Sequence, residues 1–432
     1  MLTGAQAASD LAHGEGFELV RRVLDRLRTE AQVSRDMINL VPSENRLSPT
    51  ASAPLRYDFY NRYFFNPTLD SRQWFFRGAQ GVGDIETTVA VPVLRQLARA
   101  QHVNVRPISG MSAMTLVLLA LGGSTGESVI SIKQSCGGHY ATSSMIARVG
   151  RRPLTVGQEQ GRIAPDELRA LLKEHQPSLV YLDLQNSLSE IDVASVVEIV
   201  REISPRTRVH ADVSHTLGLV LGGAHRNPLD DGADTMGGST HKTFPGPQKG
   251  VLFTRDDELA EQIRQAQFEM ISSHHFADTL ALALAAVEFE TFGVKYAAQV
   301  IHNARLLGSK LIDAGFDVVK GTPEITDCHQ VWVACGSDFD AMDFADGLAE
   351  AGVRVNVSAE LPRFDGRFAL RLGLSEITFE GGHDHSVAQL ADIFAMVRGG
   401  RIQEARTLCA SLRDGLGTPY YFREEDVAGA SV

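Results

Sequence analysis

The chain has 432 residues, 44% hydrophobic and 22% charged, the balance of a soluble globular protein with room for more than one core. Its 41 Lys and Arg against 53 Asp and Glu leave a net charge of −12, which argues against a dedicated binder of nucleic acid or anionic membrane. Four cysteines without metal-ligand spacing, no apolar run of membrane-spanning length and no basic-then-apolar leader point to a cytoplasmic protein.

In chain order, residues 16–38 carry Phe17, Leu19, Val20, Val23, Leu24 and Leu27 at helical spacing among charges, which predicts an amphipathic helix. "NLVPSENRLSP" (39–49) follows as a loop, and "ETTVAVPVLRQLARAQ" reads as a helix with Pro92 near its first turn. "VNVRPISGMSAMTLVLLALGG" predicts a strand, a turn and an almost wholly apolar helix ending at Gly122 and Gly123. Strands and helices then alternate through "ESVISI", "SLVYLDL", "RVHADVS", "ADTMGGS" and "GVLFTR". Strands apolar on both faces belong to a parallel sheet covered by helices. A long helical region at 257–314, broken near "SSHHF", leads into a smaller α+β unit. The expected organisation is an arm (1–49), a large α/β domain (50–295), a small domain (296–422) and a flexible polar tail (423–432).

Several residue types stand where chemistry is done in such folds. Asp212 and His215 end a strand in "VHADVSH", where open α/β sheets place ligand contacts. Ser109, Gly110 and Met111 open a helix whose first N–H groups and dipole suit an anion. His139 follows two glycines in "CGGH", Arg371 lies on a small-domain strand, and Lys242 sits in the tight "GSTHKTFPGPQKG" turn. Each alone has a structural explanation: a cap, a turn residue, a packed histidine, a solvated lysine. "SSHH" and "GGHDHS" lack an acidic or cysteine partner spaced to complete a shell, so no metal is expected.

Taken together and in order, the phrases resemble the serine hydroxymethyltransferase family of pyridoxal-phosphate enzymes. "VPSENRLSP" is similar to that family's "ASENxxSP", "VRPISG" to "VQPHSG", and "CGGHYATS" to "xGGHLTHG". "ADVSHTLGLV" is similar to "VDMAHVAGLV", and "STHKTFPGPQKG" to "TTHKTLxGPRGG". The resemblance implies a fold type I α/β transferase with a mostly parallel sheet of the seven-stranded type. It implies pyridoxal phosphate bound covalently to Lys242, with Asp212 on the pyridine nitrogen and His139 stacked on the ring. His215 would lie near the phenolic oxygen. Ser109, Gly110 and Met111, helped by Ser239 and Gln185, would hold the phosphate. Arg371 and Ser43 would take the substrate carboxylate. It further implies a homodimer with a shared site, dimer versus tetramer being left open, in which Ser272, Ser273 and His274 reach the partner's phosphate.

The departures are selective. The family phrase "NKYAEGYPGxRYYGG" is matched by "NRYFFNPTLDSRQWFFRGA", which keeps Tyr63 but puts Phe65 at the glutamate that serves proton transfer beside folate. The tyrosine pair becomes Phe75 and Phe76, the arginine of "GPRGG" becomes Gln248, and the folate-facing asparagine becomes Ser358. A phenylalanine neither shuttles protons nor hydrogen-bonds a pterin. The expectation is therefore folate-independent cleavage or transfer at Cα–Cβ of a β-hydroxy-α-amino acid such as threonine, with small-molecule amino acid and aldehyde as partners. Glu44 would take over acid–base work, and Tyr63 and Phe65 would face the substrate. The alternatives are a folate-dependent serine or α-methylserine hydroxymethyltransferase, and a cofactor-binding paralogue with racemase, aminotransferase or no activity.

Overall fold

The computed structural model describes residues 16–64, 66, 70–322, 324–335, 340–364 and 366–428. Helix α1 (Gly16–Asp36) carries the expected apolar stripe, yet none of its residues is buried. The chain then adds Ile38–Asn39 in parallel to Val353–Arg354, tying the arm to the small domain.

The large domain is built on seven strands: β1 (His102–Asn104), β2 (Ser128–Ile132), β3 (Arg152–Val156), β4 (Leu179–Asp183), β5 (Arg208–Asp212), β6 (Thr235–Ser239) and β7 (Gly250–Thr254). Their order is β1-β7-β6-β5-β4-β2-β3, and only β7 runs antiparallel to its neighbours. Strands β2, β4, β6 and β7 are buried at every position, because helices cover both faces. Val180, Val209, Met236 and Phe253 join one core, each contributing about 1.5–3 kcal/mol by leaving water.

Helix α2 (Gly110–Leu121) starts at a capping box in which Ser109 and Ser112 satisfy each other's N–H groups. Helices α3 (Asp257–Met270) and α4 (Phe276–Asp313) flank the break expected near "SSHHF". α4 is a single 38-residue helix, so the expected boundary at 295/296 falls inside it and both domains share it. The small domain has four antiparallel strands: β8 (Asp317–Val318), β9 (Gln330–Ala334), β10 (Asn356–Ser358) and β11 (Ala369–Gly373), in the order β8-β9-β11-β10. Helices α5 (Ala341–Ala351), α6 (Asp384–Arg398) and α7 (Ile402–Asp414) cover it, and α7 was not expected from the sequence. The tail read as flexible contains a helical turn, Glu424–Ala428. Among the described residues no helix is long and apolar enough to cross a membrane.

Candidate active site

Asp183 and Asp212 end adjacent strands, and Asp212 lies opposite Gly237 of the next. The carboxyl ends of the parallel strands thus bring chemistry-bearing residues side by side. At Gly238, φ is +139° and a Cβ would meet Ser214 Oγ at 2.3 Å, so only glycine lets the chain leave β6 here. The loop that follows is pinned from several sides. Thr240 Oγ1 donates to the Pro247 carbonyl at 2.7 Å, Gly218 N donates to Thr243 Oγ1 at 3.0 Å, and Asn45 Nδ2 donates to the Lys242 carbonyl at 2.7 Å. This answers to the tight sequence around Lys242: its backbone cannot wander, and its Nζ donates to Ser239 Oγ at 3.2 Å.

Lys242 opens into a cavity of about 180 Å³ that is also lined by Ser109, Gly110, Met111, His139, Gln185, Asp212, His215 and Ser239. Nine residues assigned to the cofactor on sequence grounds therefore meet in one place. Burial pulls the Lys242 ammonium down to about 8, with Arg371 adding to the effect and Asp212 opposing it. Asp212 is held at both oxygens: Tyr181 Oη donates to Oδ2 at 2.7 Å and Ser214 N to Oδ1 at 2.8 Å. Burial raises the Tyr181 phenol well above its usual value, so it remains a donor. Burial likewise raises the Asp183 carboxyl, whose Oδ2 accepts from His139 N at 3.1 Å and from Thr142 Oγ1.

The cavity's histidines are neutral bases. His139 Nδ1 accepts from Ala141 N at 3.2 Å, which places its ring proton on Nε2. Burial, partly offset by Asp212, lowers its pKa. Burial and then the Lys242 charge push His215 well below the usual range and His241 to about 4. The His215 ring stacks on His329 at 5.6 Å, and His329 Nε2 donates to the Pro42 carbonyl at 3.2 Å, so the segment carrying Ser43 is anchored beside the site. Arg371 is 4% exposed and no carboxylate pairs with it among the described residues. Burial lowers it only to about 9, so it is charged at neutral pH.

This arrangement fits pyridoxal phosphate on three observations. A Cβ on Gly110 would meet Ser239 Oγ at 2.2 Å, so a bare backbone forms the cradle at the start of α2. The capping box uses the N–H groups of Ser109 and Ser112, which leaves those of Gly110 and Met111 for an anion. Buried Gln185 Oε1, His215 Nδ1 and His241 Nδ1 have no partner among the described residues, as the contacts of a polar ligand would.

Other expected residues are elsewhere. Glu44 is exposed, accepts from Asn39 Nδ2 at 2.9 Å, and lines a second cavity of about 520 Å³ that shares only His241 with the first. Its expected acid–base role is therefore not supported within one subunit. Tyr63 is exposed and packs edge-on against Phe76 at 4.7 Å, and Phe65 lies outside the described residues. Ser272 is exposed and Ser273 half-buried in the α3–α4 loop. His274 departs from the reading that sent it to a partner's phosphate. It is 2% exposed, its Nδ1 pairs with Thr279 Oγ1 at 3.0 Å, and its carbonyl accepts from the buried Lys249 Nζ at 2.7 Å. Tyr181, His329 and Gln330 were missed; their signal was a polar side chain within a buried strand or, for His329, immediately before one.

The family model for serine hydroxymethyltransferase matches residues 18–393. The chain belongs to the serine hydroxymethyltransferase family. Within this pyridoxal-phosphate enzyme family its similarities differ in degree. An L-threonine:uridine-5'-aldehyde transaldolase from Streptomyces sp is 50% identical over 94% of this chain and 98% of its own length. The serine hydroxymethyltransferase of Archaeoglobus fulgidus is 31% identical over 98% of this chain and 96% of its own. In fold, the chain is similar to the crystal structure of L-threonine transaldolase from Pseudomonas fluorescens in its internal aldimine state. The TM-score is 0.84 at 24% identity, over 95% of this chain and 96% of that one.

Proposed function

We propose that this family member is a folate-independent transaldolase. It breaks the Cα–Cβ bond of L-threonine, releases acetaldehyde and joins the glycyl unit to a second aldehyde. The observation that carries the reading is the pairing of a buried, partly neutralised Lys242 with a buried Arg371 that has no anionic partner among the described residues. A cationic clamp beside a reactive amine is what an α-amino acid needs. The near full-length similarity to transaldolases named for threonine and uridine-5'-aldehyde favours threonine as donor and such a nucleoside aldehyde as the first acceptor to test.

Pyridoxal phosphate, bound through Lys242, supplies an electron sink for the pair released when Cα–Cβ breaks. Asp212, fixed by Tyr181 and Ser214, holds a proton at the pyridine nitrogen. The α2 N-terminus and Ser239 hold the phosphate, and Arg371 and Ser43 orient the carboxylate. The neutral imidazole of His215, whose buried Nδ1 has no partner among the described residues, is the acceptor for the threonine hydroxyl proton and returns it to the alkoxide of the product.

The working unit is a homodimer. Its support is the exposure of Tyr57, Tyr60, Tyr63, Phe75 and Phe76 on one segment, and of Phe17, Val20, Leu24 and Leu27 on α1, an apolar area out of place on a lone subunit. These exposed aromatic side chains would then close the partner's site against water.

The competing folate-dependent reading is tested with serine. Conversion of serine to glycine should stay slow and unchanged when tetrahydrofolate is added, while threonine yields acetaldehyde without it. Rapid folate-dependent serine turnover with no acetaldehyde from threonine would overturn the proposal.

A further inference from the structure

Strands β9 and β11 pair so that Gln330 lies opposite Gly373 and Trp332 opposite Arg371, which puts Gln330, Trp332 and Arg371 on one face of the small sheet. Gln330 is 1% exposed. Its Oε1 accepts from Arg371 Nε and from Trp332 Nε1, both at 3.0 Å, and its Nε2 donates to the Gln185 carbonyl at 3.1 Å. Two donors on one atom and a carbonyl on the other fix which end of the amide is oxygen. Gln185 O also accepts from Arg371 Nη2, so the Nε/Nη2 edge of the guanidinium is fully engaged and the plane of the fork is set.

Both acceptors on that edge are neutral. A buried arginine is stabilised most by a carboxylate, and a glutamate at 330 would accept the same two hydrogen bonds with almost the same shape. It would also cancel the charge before any substrate arrived. We propose that Gln330 is a positioning residue for amino-acid recognition: it orients Arg371 while leaving its charge un-neutralised, so that the Nη1/Nη2 edge receives the substrate carboxylate. This rests on the reading of Arg371 as the carboxylate clamp.

The test compares wild-type holoenzyme with Gln330→Glu, Gln330→Met and Arg371→Lys. Glycine and methylamine, which differ by the carboxylate alone, are titrated by calorimetry and by the visible absorbance of the bound cofactor. Gln330→Glu should retain its cofactor, bind methylamine as before and bind glycine at least tenfold more weakly. Gln330→Met, which frees the fork without adding charge, should lose several-fold in glycine and nothing in methylamine. Glycine affinity within twofold of wild type in Gln330→Glu, or equal losses for both ligands, would overturn the assignment. Should Gln330→Glu fail to fold, the Met variant decides: selective loss of glycine supports the proposal, unchanged glycine affinity refutes it. If Arg371→Lys loses glycine while both Gln330 variants keep it, only this inference fails. If Arg371→Lys keeps it too, the clamp reading itself falls.

Discussion

A lysine reacts with an aldehyde only after losing its proton, and an ordinary lysine near 10.4 is almost wholly charged at neutral pH. Burial brings Lys242 to about 8, so roughly a tenth of molecules carry the free amine at pH 7. The sign follows directly: below 8 each pH unit removes amine, above it the amine is saturated. Uptake of pyridoxal phosphate by cofactor-stripped protein should therefore accelerate about tenfold from pH 6 to 7 and about fivefold from pH 7 to 8, levelling off above about pH 9. A rate independent of pH between 6 and 8 would contradict the assignment. Lys242, Asp212, His139 and Arg371 were legible because each sits in a phrase with a fixed local geometry. Tyr181, His329 and Gln330 were not, because they act through another side chain, and such partners meet only in the folded chain. Glu44 shows the converse. It lies next to Ser43 in sequence, yet its carboxylate is exposed and lines the other cavity.

At the scale of elements, the α2 N-terminus and the turn after β6 form one device, since a Cβ on Gly110 would press on Ser239 Oγ. The neighbour is a short side chain on a buried strand end with little room to yield. Gly110→Ala should cost about 1–3 kcal/mol of stability by overpacking and loosen the phosphate cradle. The measurement is cofactor retention during dialysis together with the melting temperature; full retention in the variant would remove the α2 N-terminus from the phosphate site. Period and apolarity made the sheet and the α3–α4 break legible. For His274 the resemblance carried over a contact with the partner's phosphate, whereas its side chain is buried within its own subunit. In the fold the buried Lys249 donates to the His274 carbonyl and holds that segment against the core.

For the whole molecule, two domains joined by α4 were legible as alternating and then mixed elements, although the continuity of that helix across the boundary was not. The exposed aromatics Tyr57, Tyr60, Tyr63, Phe75 and Phe76 and the unburied α1 make sense in an assembly. If Tyr63 serves the partner's site, inactive Lys242→Ala and Tyr63→Ala subunits complement each other, since a mixed dimer holds one intact site. Equal, freely exchanging mixtures should recover about a quarter of wild-type activity by random pairing. No recovery despite proven exchange would place Tyr63 in its own subunit's site.

The central claim is that a two-carbon glycyl unit passes from threonine to another aldehyde without folate. It is tested most directly with threonine labelled with carbon-13 at Cα, incubated with uridine-5'-aldehyde in the absence of tetrahydrofolate. The account predicts label at Cα of a new β-hydroxy-α-amino acid, formed in step with an equal amount of unlabelled acetaldehyde. Label found only in unreacted threonine, or appearing in product only after tetrahydrofolate is added, would contradict it.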